Sequence, residues 1–111
     1  VNAWQWLGAT WAGSDGGAWI VPLTGRQTTT PPVDHIYDAN LFAQVRAFNE
    51  AAVAITDWSD PAAAEWLRGQ GVSHVYAGQR GGPFDPAKLS RNPGLALLYQ
   101  NEGAFLYAVK P

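Results

Sequence analysis

The sequence predicts an α/β domain: one small unit in which a mixed, mostly parallel β-sheet is packed with helices and closed by a C-terminal β-hairpin. Three observations predict it. Leu41, Val45, Phe48, Ala52 and Ile55 recur at intervals of four, three, four and three, which lines one face of an α-helix. Strand-like and helix-like segments alternate along the chain, the pattern of a sheet covered by helices. LALLYQ and AFLYAV flank Asn101-Glu102-Gly103, which reads as a hairpin whose glycine supplies a positive φ.

Taken in order, Trp4 and Trp6 alternate with polar Gln5, as in a strand. Ser14 or Asp15 can cap a helix beginning at Gly16-Gly17-Ala18, which Pro22 forces to be short, kinked or restarted. Gly25 suits the residue that closes it. Gln27 to Thr30 is β-branched and reads as extended, stopped by Pro31-Pro32. The long helix then turns Gln44, Arg46, Asn49 and Glu50 outward. A second helix starts at Asp60 with Pro61 in its first turn and ends by Gly69 or Gly71. Val72 to Ala77 is a strand, Asp85-Pro86 opens another short helix through Leu89, and Asn92-Pro93-Gly94 is a turn.

The chain has 111 residues, enough for one core without covalent staples, and residues 1–111 read as a single domain. A net charge of −2 with singly scattered Lys and Arg leaves no basic patch, so nucleic acid is not an expected partner. The absence of cysteine excludes disulfides and thiolate metal sites. No apolar run reaches the about 18 residues that cross a bilayer. A chain that begins at Val1 and contains no methionine reads as a domain excised or processed from a longer protein.

Two glycine loops offer candidate ligand contacts. Gly13-Ser14-Asp15-Gly16-Gly17 could present backbone N–H groups to an anion at a helix start, although it matches neither phosphate-loop pattern and Asp15 would repel phosphate. The same residues serve equally as a tight turn with an Asp cap. Gly78-Gln79-Arg80-Gly81-Gly82 follows a strand expected to be parallel, and ligand sites gather at the carboxyl ends of parallel strands. If both loops share one edge, Ser14, Asp15, Gly16, Gly17, Arg80 and Gly81 form a composite site, with Arg26 in reach. The plain alternative is an Arg80–Asp15 pair that ties the two loops together. Six tryptophans could stack on sugar rings, Trp58 in the Asp-Trp-Ser-Asp turn among them, or fill cores and interfaces. His35, His74, Asp34 and Asp38 match no metal-ligand spacing, no nucleophile motif is present, and neither a cofactor nor a metal is expected.

GSDGGAWIVPLTGRQTTTPP, with the later WLRGQGVSHVYAGQRGG and LALLYQNEGAFLYAV, resembles the soluble extracytoplasmic C-terminal domain of multi-pass bacterial membrane proteins related to GT-C-type glycosyltransferases. The resemblance implies a non-catalytic accessory domain on the outer face of the cytoplasmic membrane. Such a domain would position an acceptor, a lipid-linked sugar or a neighbouring protein beside the membrane-embedded part of its own chain. The acidic residues that act on lipid-linked sugar in those enzymes lie in membrane-proximal loops, so none transfers to this sequence. A free-standing module that binds a carbohydrate or phosphate ligand is the competing expectation.

Overall fold

The computed structural model describes residues 4–6, 11–13, 20–30, 37–79 and 84–111. The first strand, β1 (Trp4–Trp6), pairs antiparallel with β2 (Trp11–Gly13), placing Trp4 opposite Gly13 and Trp6 opposite Trp11. A one-turn helix, α1 (Ile20–Thr24), follows. Pro22 falls within its first residues, where the missing N–H has no helical partner to lose. Gly25 closes the helix with φ 69, as its position suggested. Residues 25–30 form no strand, and Thr29 and Thr30 are bends where an extended segment was expected.

The long helix is α2 (Ala39–Val53). Its cap is Asp38, whose carboxylate accepts the N–H groups of Asn40 and Leu41, both at 3.0 Å. The buried face is Val45, Asn49 and Ala52, with Phe48 and Ile55 packed against the core from its margin. The face is rotated from the expected one. Leu41 lies on the exposed side, whereas Asn49, expected outward, is fully buried. Thr30 Oγ1 donates to Asn49 Oδ1 at 3.0 Å, and this contact explains how the segment before α2 draws an amide inward. Arg46 and Glu50 do point to solvent and pair across one turn at 2.8 Å.

α3 (Pro61–Gly69) and α4 (Pro86–Arg91) both begin with the Asp-Pro pair read from the sequence. Asp60 accepts the N–H of Ala62, and Asp85 accepts that of Ala87, each at 2.9 Å. β3 (His74–Ala77), β4 (Leu95–Asn101) and β5 (Ala104–Val109) form one sheet in the order β3-β5-β4. Both pairings are antiparallel. The mostly parallel sheet expected from the sequence is therefore incorrect. Helix–strand alternation implies parallel pairing only if the strands before and after a helix join the same sheet. Here β1 and β2 pair with each other, and β3 pairs instead with the last strand of the chain. The C-terminal hairpin is present as expected.

One face of this sheet carries Val75, Ala77, Tyr107 and Leu95, all buried. They pack with Ala63, Ala64 and Leu67 of α3 and Leu89 of α4. Tyr107 sits at the centre with its hydroxyl satisfied, donating to the Pro86 carbonyl at 3.1 Å and meeting Ser90 Oγ at 2.9 Å. Gly94, in the turn before β4, lies directly on α3: a Cβ there would stand 2.4 Å from Ala64 Cβ. Gly94→Ala should accordingly cost about 1–3 kcal/mol as local overpacking. Gly69→Ala, with nothing within 4 Å of the added methyl, should be neutral or gain up to about 1 kcal/mol. Urea unfolding of both variants checks this, and an unperturbed Gly94→Ala midpoint would show that the turn does not pack on α3.

Candidate functional site

Among the described residues, three successive exposed apolar side chains, Leu97, Leu98 and Tyr99, stand in the middle of β4. Both ends of that strand are fixed. At its start, Leu95 N–H donates to the Asn92 carbonyl at 3.1 Å and Lys110 N–H to the Gly94 carbonyl at 2.9 Å. Lys110 Nζ reaches back to the Pro93 carbonyl at 2.8 Å, and Arg68 Nε donates to the Lys110 carbonyl at 2.9 Å. At its far end the chain reverses through Glu102 and Gly103, with φ of 48 and 82. Two successive positive φ values are what a two-residue hairpin loop needs to follow the twist of its strands. Gln79 Nε2 donates to the Glu102 carbonyl at 2.6 Å, tying the hairpin tip to the segment after β3.

Between these anchors the alternation of inward and outward side chains fails. Leu97 is opposite Tyr107 but Tyr99 is opposite Leu106, so Leu98 is the extra residue of a β-bulge. Leu97, Leu98 and Tyr99 are 47, 55 and 56% exposed. Beyond them the strand presents its second edge, to which no strand among the described residues is paired. A free edge offers a row of backbone donors and acceptors to another extended chain, and proteins ordinarily block one with charge, proline or a bulge. LALLYQN holds no charged residue and no proline, so the bulge is its sole such device. The opposite edge, β3, is only four residues long, and its side chains are buried or half-buried. On the face away from the core the register lines up Tyr76, Leu106 and Tyr99, which extends the apolar surface inward from the β4 edge.

The residues singled out from the sequence fare differently. Ser14, Asp15, Gly16, Gly17, Arg80 and Gly81 lie outside the described residues, as do Asp34 and His35. The arrangement that was to join the two glycine loops, parallel strands leading to a common edge, is not how β2 and β3 pair. Arg26 is exposed in the coil after Gly25, its N–H bonded to Thr24 Oγ1 at 3.1 Å. Trp58 is only 3% exposed, wedged edge-on between Trp66 and Phe84, with ring centroids 6.5 and 5.0 Å away. Its ring faces are closed to a sugar, which corrects the reading of Trp58 as a stacking platform. His74 is half-buried, with Nδ1 2.9 Å from Ser73 Oγ. Among the described residues no group of three or more His, Cys, Asp or Glu side chains could hold a metal. None of the sequence motifs marks the β4 edge. Its signal is the doubled Leu97-Leu98, which breaks strand periodicity just before a tyrosine.

The turn around Trp58 is shaped by Asp57, whose carboxylate accepts the Ser59 hydroxyl at 2.6 Å and the Ser59 N–H at 3.0 Å. Those bonds, the hydroxyl's first, hold the Asp57 carboxyl below its ordinary titration range. Ser59→Ala should move the Asp57 titration upward in a carboxyl NMR experiment, and an unchanged titration would remove the hydroxyl as its cause. Trp58→Ala should lower unfolding stability by about 3–5 kcal/mol, as loss of a core aromatic does, and Trp58→Phe by less. Wild-type stability of Trp58→Ala would return that ring to the surface. No family model, curated protein or solved structure matches this chain.

Proposed function

We propose that this chain is an accessory docking domain: it positions a partner for a membrane glycosyltransferase-like parent chain and leaves the chemistry to the membrane-embedded part. The observation that supports docking is the β4 edge, an uncharged strand held at both ends and exposing Leu97, Leu98 and Tyr99 in its middle. An extended partner gains backbone hydrogen bonds from such an edge and apolar contact from its side chains, the mode of β-strand addition. The membrane setting, on the extracytoplasmic face, rests on the resemblance of the Gly13–Pro32, Trp66–Gly82 and Leu95–Val109 segments. No helix among the described residues is long and apolar enough to cross a bilayer, so the attachment in this reading lies in other parts of the parent chain. A saccharide or lipid-linked sugar is the other ligand that the resemblance implies such a domain would position.

Fractionated source cells, probed with an antibody against this domain, test the setting. The reading expects a membrane-bound band far heavier than 12.0 kDa, and a soluble band near 12.0 kDa would contradict it. Docking is tested in the same cells with a photo-crosslinking residue at Leu98 or, as an exposed control, at Gln70 of the α3 C-cap. Adducts from Leu98 alone are expected. Equal labelling from both positions would show that the β4 edge is not a docking surface.

A further inference from the structure

The charges around the β4 edge identify the occupant it fits. The strand itself is neutral, but its two ends are not. At its start stands Lys110, whose Nζ is held toward β4 by the Pro93 carbonyl at 2.8 Å. At its other end stands Glu102, exposed in the hairpin turn and without an ion-pair partner among the described residues. The edge is thus positive at Leu95 and negative at Asn101.

The geometry points to a second copy of this chain as the partner: two β4 strands pair antiparallel about a two-fold axis near Leu98 and join the two sheets into one. The inference rests on the docking role argued above and names its occupant. An antiparallel two-fold brings the Leu95 end of each strand beside the Asn101 end of the other. Glu102 of each copy then faces the Lys110 end of its mate, and symmetry makes the match twice. A parallel arrangement would set like charge against like. With the axis near Leu98, the bulge falls at the centre of the interface. The stretches on either side of it, Leu95–Leu97 and Tyr99–Asn101, are the two arms that cross-pair. Leu97, Leu98 and Tyr99 of both copies cover one another there. Edge pairing of this extent buries less than the about 1,200 Å² of a standard stable interface, so the dimer is expected to depend on concentration.

Sedimentation equilibrium of the 111-residue chain across a wide concentration range provides the test. The average mass should rise from 12.0 kDa toward the dimer value. Leu98→Lys should hold it at the monomer, with unchanged circular dichroism because Leu98 is more than half exposed. Glu102→Lys should weaken association about tenfold, as expected for two exposed ion pairs lost and replaced by repulsion, and adding Lys110→Glu should restore most of it. A monomer at every concentration, or a dimer indifferent to Leu98→Lys and Glu102→Lys, overturns the inference. Crosslinking in cells separates this failure from that of the docking role. A monomeric chain that still labels a partner from Leu98 rejects only the second copy, whereas loss of both signals rejects the docking surface as well.

Discussion

The buried side chain of Asn92 is the junction on which the rest of the described structure depends. Its Nδ2 donates to the Trp58 carbonyl at 3.0 Å and to the Asp60 carbonyl at 2.7 Å, and its Oδ1 accepts the Gly94 N–H at 2.9 Å. One amide thereby fastens the turn that starts α3 to the turn that starts β4, and every polar hydrogen it owns is used. A buried amide so satisfied stabilises a single arrangement, since any displacement leaves groups unpaired at about 1–3 kcal/mol each. Asn49 offers the contrast. It is equally buried, but its Nδ2 has no hydrogen-bond partner, so it carries part of that penalty in the native state. The Thr30 contact fixes where the chain enters α2, at the expense of a fully satisfied core.

From the Asn92 junction the layout follows. Trp58 lies in the core with its carbonyl held by the buried Asn92 amide, and Gly94 can lie on Ala64 only because it lacks a side chain. β4 then enters the sheet at a fixed point, and the last strand, β5, takes the central position between β3 and β4. The last strand occupies the middle, so the strand before it must lie at an edge. The exposed apolar edge is thus a consequence of topology, and the bulge at Leu98 lies within it.

Local chemistry was legible in the sequence. Asp60-Pro61 and Asp85-Pro86 declared two helix starts, Gly25 a helix end, and Glu102-Gly103 a hairpin turn, because each depends on a few neighbouring residues and their allowed φ values. The period of α2 was equally plain, but not the orientation of its face. The contact that buries Asn49 comes from Thr30, nineteen residues away, and no spacing rule contains it. Strand direction is non-local in the same way: β3 finds its partner in β5 across α4 and β4, and nothing within His74–Ala77 distinguishes that from a parallel neighbour. The composite glycine-loop site was argued from the direction of those strands, and its loop residues lie outside the described residues. Trp58 was misread for a related reason, because a tryptophan between polar turn residues looks exposed until an amide from Asn92 is known to hold its backbone.

In the proposed docking role the outer edge of β4 is held ready for an extended partner, a second copy in the first instance. Amide hydrogen exchange across Leu95–Asn101 at low and at high protein concentration tests it most directly. Amides bonded to β5 should be protected at both concentrations, while those directed away from β5 should exchange quickly when dilute and slow markedly when concentrated. Outward β4 amides that exchange equally fast at both concentrations would contradict the account.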